Sequence, residues 1–156
     1  MQVWRICKQQ HLATAFDGIG GLYTDGRWTP QGYPVVYTAE SLALASLEVF
    51  VHLESDRLPL RAIRANLSDN LAIMTVKIGD FPIDWQELTA YPILQQIGRD
   101  WLTRHYTPIL KVPSAIIPIE FNYLINPRHP DLQVELDPPL QFKFDHRMWK
   151  VNQNLR

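Results

Sequence analysis

The sequence holds one cysteine, no excess of charge and no long apolar run, and each shortage excludes a class of protein. Cys7 is the only cysteine, so the chain has no internal disulfide and no zinc site built from cysteines. No apolar stretch reaches the roughly 20 residues that a membrane span needs. The chain has 15 Lys and Arg against 16 Asp and Glu, a net charge of −1 that disfavours a protein that coats nucleic acid. The composition predicts a soluble cytoplasmic protein with no membrane or nucleic-acid partner.

The common nucleotide and metal motifs are also missing. The chain has no P-loop, no G-x-G-x-x-G fingerprint and no H-E-x-x-H sequence. The segment 18–22 (GIGGL) resembles a dinucleotide loop only superficially, because no strand and helix of the Rossmann kind flank it. The five histidines lack the spacing of metal ligands, and we expect His129 and His146 to lie on the surface. Walker-type phosphoryl transfer, Rossmann-type hydride transfer and a metal centre are therefore not predicted.

The remaining composition is that of a folded domain. The chain has 156 residues, 46% of them hydrophobic, which suits a single domain over residues 1–156. Helical spacing predicts a largely buried helix over 41–53, capped by Thr38 or Ser41, and a second helix after Thr89 with Pro92 in its first turn. Alternating patterns predict strands at 3–7, 33–37, 60–67, 71–78, 109–112, 114–119, 123–125 and 141–144, with a turn at 68–70. Helices and strands without regular βαβ alternation favour the α+β class.

A glycine-rich stretch between residues 18 and 32 is the first candidate functional segment. It holds five of the seven glycines, and it also carries Tyr23, Arg27 and Trp28, with Tyr33 directly after it, whereas a solvated linker would be richer in Ser, Lys and Glu. A guanidinium beside glycine backbone is suited to bind a phosphate or carboxylate through two hydrogen bonds at once. The alternatives are a plain surface loop and an ion pair between Arg27 and Asp25 or Asp17.

Glu48 is a carboxylate inside the most apolar helix of the chain. Burying an unpaired carboxylate is costly, so Glu48 must be paired, protonated or placed in a wet cleft. The alternative is a weak contact with His52, four residues on, along an exposed stripe of the helix. Tyr37, at the end of the preceding strand, suits either the stacking of a ligand ring or a core position. Ser114 follows Pro113 without a G-x-S-x-G elbow, so serine-hydrolase chemistry is not indicated.

Four of these residues, taken in order, carry a resemblance to a known family: Arg27, Tyr37, Glu48 and Ser114. The chain resembles the RES-domain family, the toxin half of bacterial toxin–antitoxin pairs. The matching segments cover nearly the whole chain: VWRI, GRWTPQG, PVVYTAESLALASLEVFVHL, LKVPSAIIPIEFNYLINPRHPD and FKFDHRMW. The chain departs from the family pattern around GRW, where Asp25 and Thr29 stand in place of Gly and Asn.

The resemblance implies a fold similar to ADP-ribosyltransferases, with two small mixed sheets around an NAD-binding cleft and with flanking helices. It implies cleavage of the bond between nicotinamide and ribose, with NAD as substrate, no true cofactor, and inorganic phosphate or water as acceptor of the ADP-ribose. It also implies that a cognate antitoxin with an Xre-like helix-turn-helix region holds the enzyme inactive. A homodimer within a larger toxin–antitoxin complex stays open.

The resemblance further implies the site residues, with no metal ligand among them. The implied catalytic residues are Arg27, Tyr37, Glu48 and Ser114, and the implied NAD-binding residues are Arg5, Gly26, Arg27, Tyr37 and Asn122. On this hypothesis, Arg27 binds the diphosphate, with Arg5 as a second contact. Glu48 stabilises the positive charge that develops on the ribose, and Tyr37 flanks the nicotinamide. Ser114 and Asn122 orient the nicotinamide or the ribose.

Two other functions remain as alternatives. A protein ADP-ribosyltransferase would share the cleft but pass the ADP-ribose to a macromolecule. A catalytically inactive family member would only bind a partner, and the joint presence of Arg27, Tyr37 and Glu48 disfavours that possibility.

Overall fold

The computed structural model describes residues 1–53 and 58–149, and their secondary structure is of the predicted α+β class. The strands are β1 (Gln2–Lys8), β2 (Val36–Ala39), β3 (Leu60–Leu67), β4 (Ile73–Thr75), β5 (Ile109–Pro113), β6 (Phe121–Ile125), β7 (Val134–Leu136) and β8 (Leu140–Phe142). The helices are α1 (Gly20–Tyr23), α2 (Leu42–Phe50) and α3 (Tyr91–Thr103), with 3-10 turns at Gln9–Thr14, Ile78–Asp80, Leu88–Ala90 and His146–Met148. Residues 54–57 and 150–156 of the predicted domain lie outside the described residues. None of the described helices has the length and apolar character needed to cross a membrane.

The strands form one sheet that is almost divided in two. Its order is β4-β5-β6-β2-β1-β3-β7, with β8 also paired to β3, and β4 and β5 are its parallel pair. In the middle, β1 and β2 share a single pair of facing residues, Trp4 and Ala39, whereas β1 pairs with β3 along its whole length. The expectation of two separate small sheets is corrected in this respect, because this residue pair joins the two halves. The opening between β1 and β2 is where the candidate site lies.

Two predicted strand features are displaced by longer-range contacts. The strand expected at 33–37 begins only at Val36, because the backbone N–H of Val35 donates to Gly18 in the glycine-rich segment. The turn at 68–70 does not close a hairpin, since β4 pairs with β5 and not with β3. In both places the local pattern is present but another part of the chain takes the hydrogen bonds.

α2 begins where a serine caps it. The Ser41 hydroxyl accepts the backbone N–H of Leu44 at 3.0 Å, which confirms one of the two predicted caps. The helix ends at Phe50, and its buried residues Leu44 and Ala45 pack against β1 and β2. Residues three and four positions apart share a helix face, so the next turn directs Glu48 toward the opening in the sheet.

α3 holds the glycine-rich segment in place. Leu94 and Trp101 are fully buried on one face of this helix. Between them lies Gly98, where an added Cβ would stand 1.8 Å from the backbone oxygen of Trp28. This close approach of the helix and the loop backbone is open only to glycine. Trp28, 3% exposed, is thereby fixed beside Arg27.

The start of α3 follows the sequence prediction in part. Pro92 lies in the first turn, as predicted, where its missing N–H leaves no hydrogen bond unmade. Thr89 is not the cap, because it lies in the preceding 3-10 turn and Ala90 takes the capping position without a side-chain hydrogen bond.

His129 is buried, which corrects the expectation that it lies on the surface, whereas His146 is 88% exposed as predicted. Nδ1 of His129 accepts the backbone N–H of Asp131 at 3.2 Å, and Nε2 of His129 lies 3.1 Å from the backbone oxygen of His105. Both ring nitrogens are therefore used by the fold, with the hydrogen on Nε2.

We expect Gly98→Ala to lower the free energy of unfolding by about 1–3 kcal/mol or more, because the added methyl group overlaps the Trp28 backbone oxygen. Urea unfolding measures the change. The matched control is Gly79→Ala, where an added Cβ meets no heavy atom within 4 Å. Equal stability of the two variants would contradict the close approach of α3 to the loop.

Candidate active site

A cavity of about 420 Å³ opens beside α2, between the glycine-rich segment and the strands β1 and β2. Its wall includes six of the seven site residues expected from the sequence: Arg5, Gly26, Arg27, Tyr37, Glu48 and Asn122. Ser114, the seventh, is fully buried and is not part of the wall. The side chains of Arg27 and Glu48 thus share one cavity, although they come from a loop and from a helix.

Glu48 is held by two hydrogen bonds to the same oxygen. Its Oε1 accepts the Ser114 hydroxyl at 2.8 Å and the Asn122 side-chain amide at 2.5 Å. These donors replace the His52 contact that was the alternative to a functional role for this carboxylate. Neither bond uses Oε2, so one oxygen of Glu48 remains for a ligand in the cavity.

Ser114 acts on Glu48 and not on the cavity. Its hydroxyl oxygen accepts the backbone N–H groups of Ile116 at 3.0 Å and Ile117 at 3.1 Å, so its hydrogen is directed at the carboxylate. The predicted strand at 114–119 is wrong for the same reason, since these bonds make a turn. The expected contact of Ser114 with a ligand is corrected too: the residue is 0% exposed and positions Glu48 from behind.

Arg27 is fixed by backbone oxygens and an aromatic ring. Its Nη1 donates to the backbone oxygens of Trp85 at 3.3 Å and Gln86 at 2.7 Å. Its guanidinium carbon lies 4.9 Å from the centre of the Tyr91 ring. Among the described residues it makes no ion pair, and the proposed partner Asp25 instead accepts the backbone N–H of Gln31. The other nitrogens of Arg27 are therefore left to bind an anion.

Tyr37 and Gly26 form one contact on the cavity wall. An added Cβ at Gly26 would stand 2.3 Å from the Tyr37 hydroxyl, so this position of the loop requires glycine. The hydroxyl lies 2.9 Å from Oγ1 of Thr29, which is itself buried. Burial of the phenol raises the pKa of Tyr37 to about 12, even though its hydrogen bond to Thr29 acts in the opposite direction. The hydroxyl is therefore neutral at physiological pH.

Arg5 occupies the opening in the sheet. Its Nη1 donates to the backbone oxygen of Tyr37 at 2.8 Å, an acceptor on β2 that faces the gap beside β1. Its Nε is buried and has no hydrogen-bond partner in the part of the chain that the structure describes. Burial lowers the pKa of Arg5, because removing the cation from water disfavours the charged form. An anion in the cavity would relieve that cost.

Two aromatic residues of the cavity wall were not among the predicted site residues. Tyr91, the first residue of α3, lines the cavity and contacts Arg27. Trp4 on β1 lines it as well. Tyr91 lies outside the segments that carry the resemblance, and Trp4 lies within VWRI beside Arg5, where its apolar side chain suits a plain strand position equally well.

The electrostatics define the kind of ligand that fits. Two guanidinium groups, on Arg5 and Arg27, and two carboxylates, on Asp25 and Glu48, line the same cavity without forming ion pairs with one another. Within residues 1–53 and 58–149, no group of three or more His, Cys, Asp or Glu side chains is arranged to hold a metal ion. Such a wall suits a ligand that carries anionic groups at one place and positive charge at another.

Comparisons with known proteins find one family over most of the chain. The family model described as RES domain matches residues 2–145. "Toxin Res" of Yersinia enterocolitica is 34% identical over 152 residues, which cover 95% of this chain and 99% of the relative. "Toxin Res" of Pseudomonas putida is 41% identical over 138 residues, covering 85% and 89%. "Prs ADP-ribosylating toxin" of a Sphingobium species is 37% identical over 152 residues, covering 93% and 94%.

A solved structure shares the fold. The crystal structure of the Mycobacterium tuberculosis MbcT–MbcA toxin–antitoxin complex matches with a TM-score of 0.73 over 91% of this chain and 84% of that chain. At 16% identity the match speaks for the fold alone.

The raised pKa of Tyr37 predicts a loss of stability at high pH. The pKa of this group rises on folding from 10.0 to about 12, so the protonated phenol favours the folded state fully below pH 10. This contribution to the free energy of unfolding is lost as the pH rises through the folded value, by up to about 3 kcal/mol. Urea unfolding at pH 9 and pH 11.5 should show a larger loss for the wild type than for Tyr37→Phe. Parallel losses in both proteins would mean that the phenol is not buried in the folded state.

Proposed function

The chain belongs to the RES domain family of toxins from toxin–antitoxin systems, and we propose that it acts by cleaving the bond between nicotinamide and ribose in NAD. The proposal rests on the shared cavity, which a guanidinium of the glycine-rich segment and a carboxylate of α2 line together. NAD has the charges that this wall suits: an anionic diphosphate, and a nicotinamide ring that is positively charged until it leaves.

The chemistry needs only one charged group at the reacting carbon. When the bond between the ribose carbon and the ring nitrogen breaks, its electron pair stays on nitrogen and nicotinamide leaves as a neutral molecule. The ribose becomes a cation of the oxocarbenium type, which the free oxygen of Glu48 stabilises. Water or phosphate then adds through oxygen, and its proton is released. The products are nicotinamide with ADP-ribose or with its 1″-phosphate.

The remaining wall residues bind and orient. Arg27 offers two unused nitrogens to the diphosphate, and Arg5 offers a second cation at the opening in the sheet. Tyr37 presents a ring held by its hydroxyl, which suits it to flank nicotinamide. Asn122 holds Glu48 through its amide nitrogen and itself lines the cavity, so its oxygen lies near the same ligand. Ser114 contributes only through Glu48.

Transfer to a protein is the second candidate reaction. A relative that is 37% identical carries the name ADP-ribosylating toxin, so a macromolecular acceptor is a specific alternative to phosphate or water. The bond that breaks is the same, and only the acceptor differs. A role as an inactive binding module is disfavoured by the arrangement of Arg27, Tyr37 and Glu48 around one cavity.

The proposed partner is an antitoxin of the Xre-like helix-turn-helix kind. The solved structure with the same fold is of a toxin–antitoxin complex, and the relatives named "Toxin Res" have the same domain over nearly their full length. An antitoxin that covers the mouth of the cavity would keep NAD away from Glu48. Since NAD turnover requires access to the cellular NAD pool, the proposal places the protein in the cytoplasm, as a monomer or as a homodimer within the complex.

The products identify the acceptor. We expect the purified protein to release nicotinamide from NAD, because the cavity holds the groups that the bond cleavage needs. Proton NMR measures nicotinamide, and phosphorus NMR with and without added phosphate distinguishes ADP-ribose from its 1″-phosphate. In a parallel assay with labelled NAD and cell lysate, label on a protein band would favour transfer to protein. No loss of NAD in either assay would contradict the proposed function.

Two substitutions test the roles of the charged residues. Glu48→Gln keeps the shape of the side chain and an oxygen for Ser114 and Asn122, so only the negative charge is lost. We expect this variant, and also Arg27→Ala, to lower NAD turnover by about 10- to 150-fold, since each removes a charged partner of the ligand. The matched control is Glu135→Gln on β7, an exposed carboxylate that does not line the cavity. Folded variants of Glu48 and Arg27 with wild-type turnover would refute the assigned roles.

A further inference from the structure

One exposed glutamine joins the two sides of the cavity. The backbone oxygen of Gln86 accepts Nη1 of Arg27 at 2.7 Å. Its side-chain amide donates to the backbone oxygen of Ala115 at 2.6 Å. The same residue therefore binds Arg27 through its main chain and the segment 114–115 through its side chain.

The segment 114–115 is the part of the chain that holds Glu48. Ala115 lines the cavity and directly follows Ser114, whose hydroxyl donates to Oε1 of Glu48 at 2.8 Å. The two hydrogen bonds of Gln86, the peptide bond between Ser114 and Ala115, and the hydrogen bond from Ser114 thus connect the Arg27 guanidinium to the Glu48 carboxylate.

The backbone at Gln86 is itself fixed. The preceding residue, Trp85, is 4% exposed and packs against Trp28 and Phe81, with ring centres 6.2 Å and 5.7 Å apart. Glu87 donates its backbone N–H to Asp84 at 2.9 Å, which closes a turn around Gln86. The amide at Gln86 therefore extends from a rigid base, and its bond to Ala115 limits how far the two walls can separate.

We propose that Gln86 is a positioning residue that sets the distance between the arginine and the carboxylate for the reaction. The inference rests on the proposed cleavage of NAD, and it names a residue that neither contacts the reacting atoms nor belongs to the signature of the family. Because Gln86 is exposed, water can bind the Ala115 oxygen when the side-chain amide is removed, so little stability is lost. Water does not, however, hold the two segments at a fixed distance. Loss of the amide should therefore loosen the site without weakening the fold.

The test is Gln86→Met, which keeps the length of the side chain and removes its donor. We expect kcat for NAD consumption to fall about 5- to 50-fold, below the loss of about 100-fold that a 1 Å misplacement can cause. KM should stay within about twofold, since Arg27 keeps its backbone acceptor at residue 86 and the diphosphate still binds. The Tm should stay within about 2 °C of the wild type, as for other exposed substitutions.

The matched control is Gln141→Met on β8, an equally exposed glutamine outside the cavity wall, for which we expect wild-type kcat, KM and Tm. A wild-type kcat in Gln86→Met would overturn the positioning role while the NAD reaction stands. A fall in kcat together with a fall in Tm of more than about 2 °C would also overturn it, because the effect would then be structural. If the wild type itself consumes no NAD, the proposed function fails instead.

Discussion

A carboxylate on an apolar helix cannot be left without donors, and the hydrogen bonds to Oε1 of Glu48 organise the rest of the site. The donors come from the end of β5 and from β6, since Ser114 follows one strand and Asn122 lies in the other. Ser114 has a defined direction because two backbone N–H groups occupy its oxygen. With one oxygen bound in this way, the other stays open to the cavity as a fixed negative charge, which is more effective there than a mobile one in water.

The gap between β1 and β2 holds the positive charge of Arg5. Where β1 and β2 part after the single pair of Trp4 and Ala39, the backbone of β2 is left with acceptors that no strand takes. Arg5 donates to one of them, at Tyr37, and thereby places a buried guanidinium at the end of the gap. A continuous ladder between the two strands would have filled this space with backbone hydrogen bonds. The break in regular structure therefore creates the anion-binding end of the cavity.

Close backbone contacts fix the loop that carries Arg27. Gly98 lets α3 approach the backbone of Trp28, and Gly26 lets the loop approach the hydroxyl of Tyr37. Gln95 on α3 adds a hydrogen bond to the backbone oxygen of Gly26 at 2.8 Å. Because the loop is held from both sides, its arginine has a defined position despite the glycine content of the segment. The glycines here serve close packing and not mobility.

Local patterns were sufficient for α2, for β1 and β3, and for the choice of a cap between Thr38 and Ser41, since periodicity and capping depend on residues a few positions apart. They failed at 114–119, where the Ser114 hydroxyl binds backbone N–H groups two and three residues on and makes a turn. They also failed at His129, which is buried against His105, a residue distant in the sequence. Ser114 and Glu48 are 66 positions apart, and no local pattern shows that the Ser114 hydroxyl donates to the Glu48 carboxylate. The sequence by itself determined where α2, β1 and β3 form and which charged side chains are available at Arg5, Arg27 and Glu48. Only the tertiary structure decided which of those side chains meet, because that depends on how the two halves of the sheet join and on where α3 presses the glycine-rich loop.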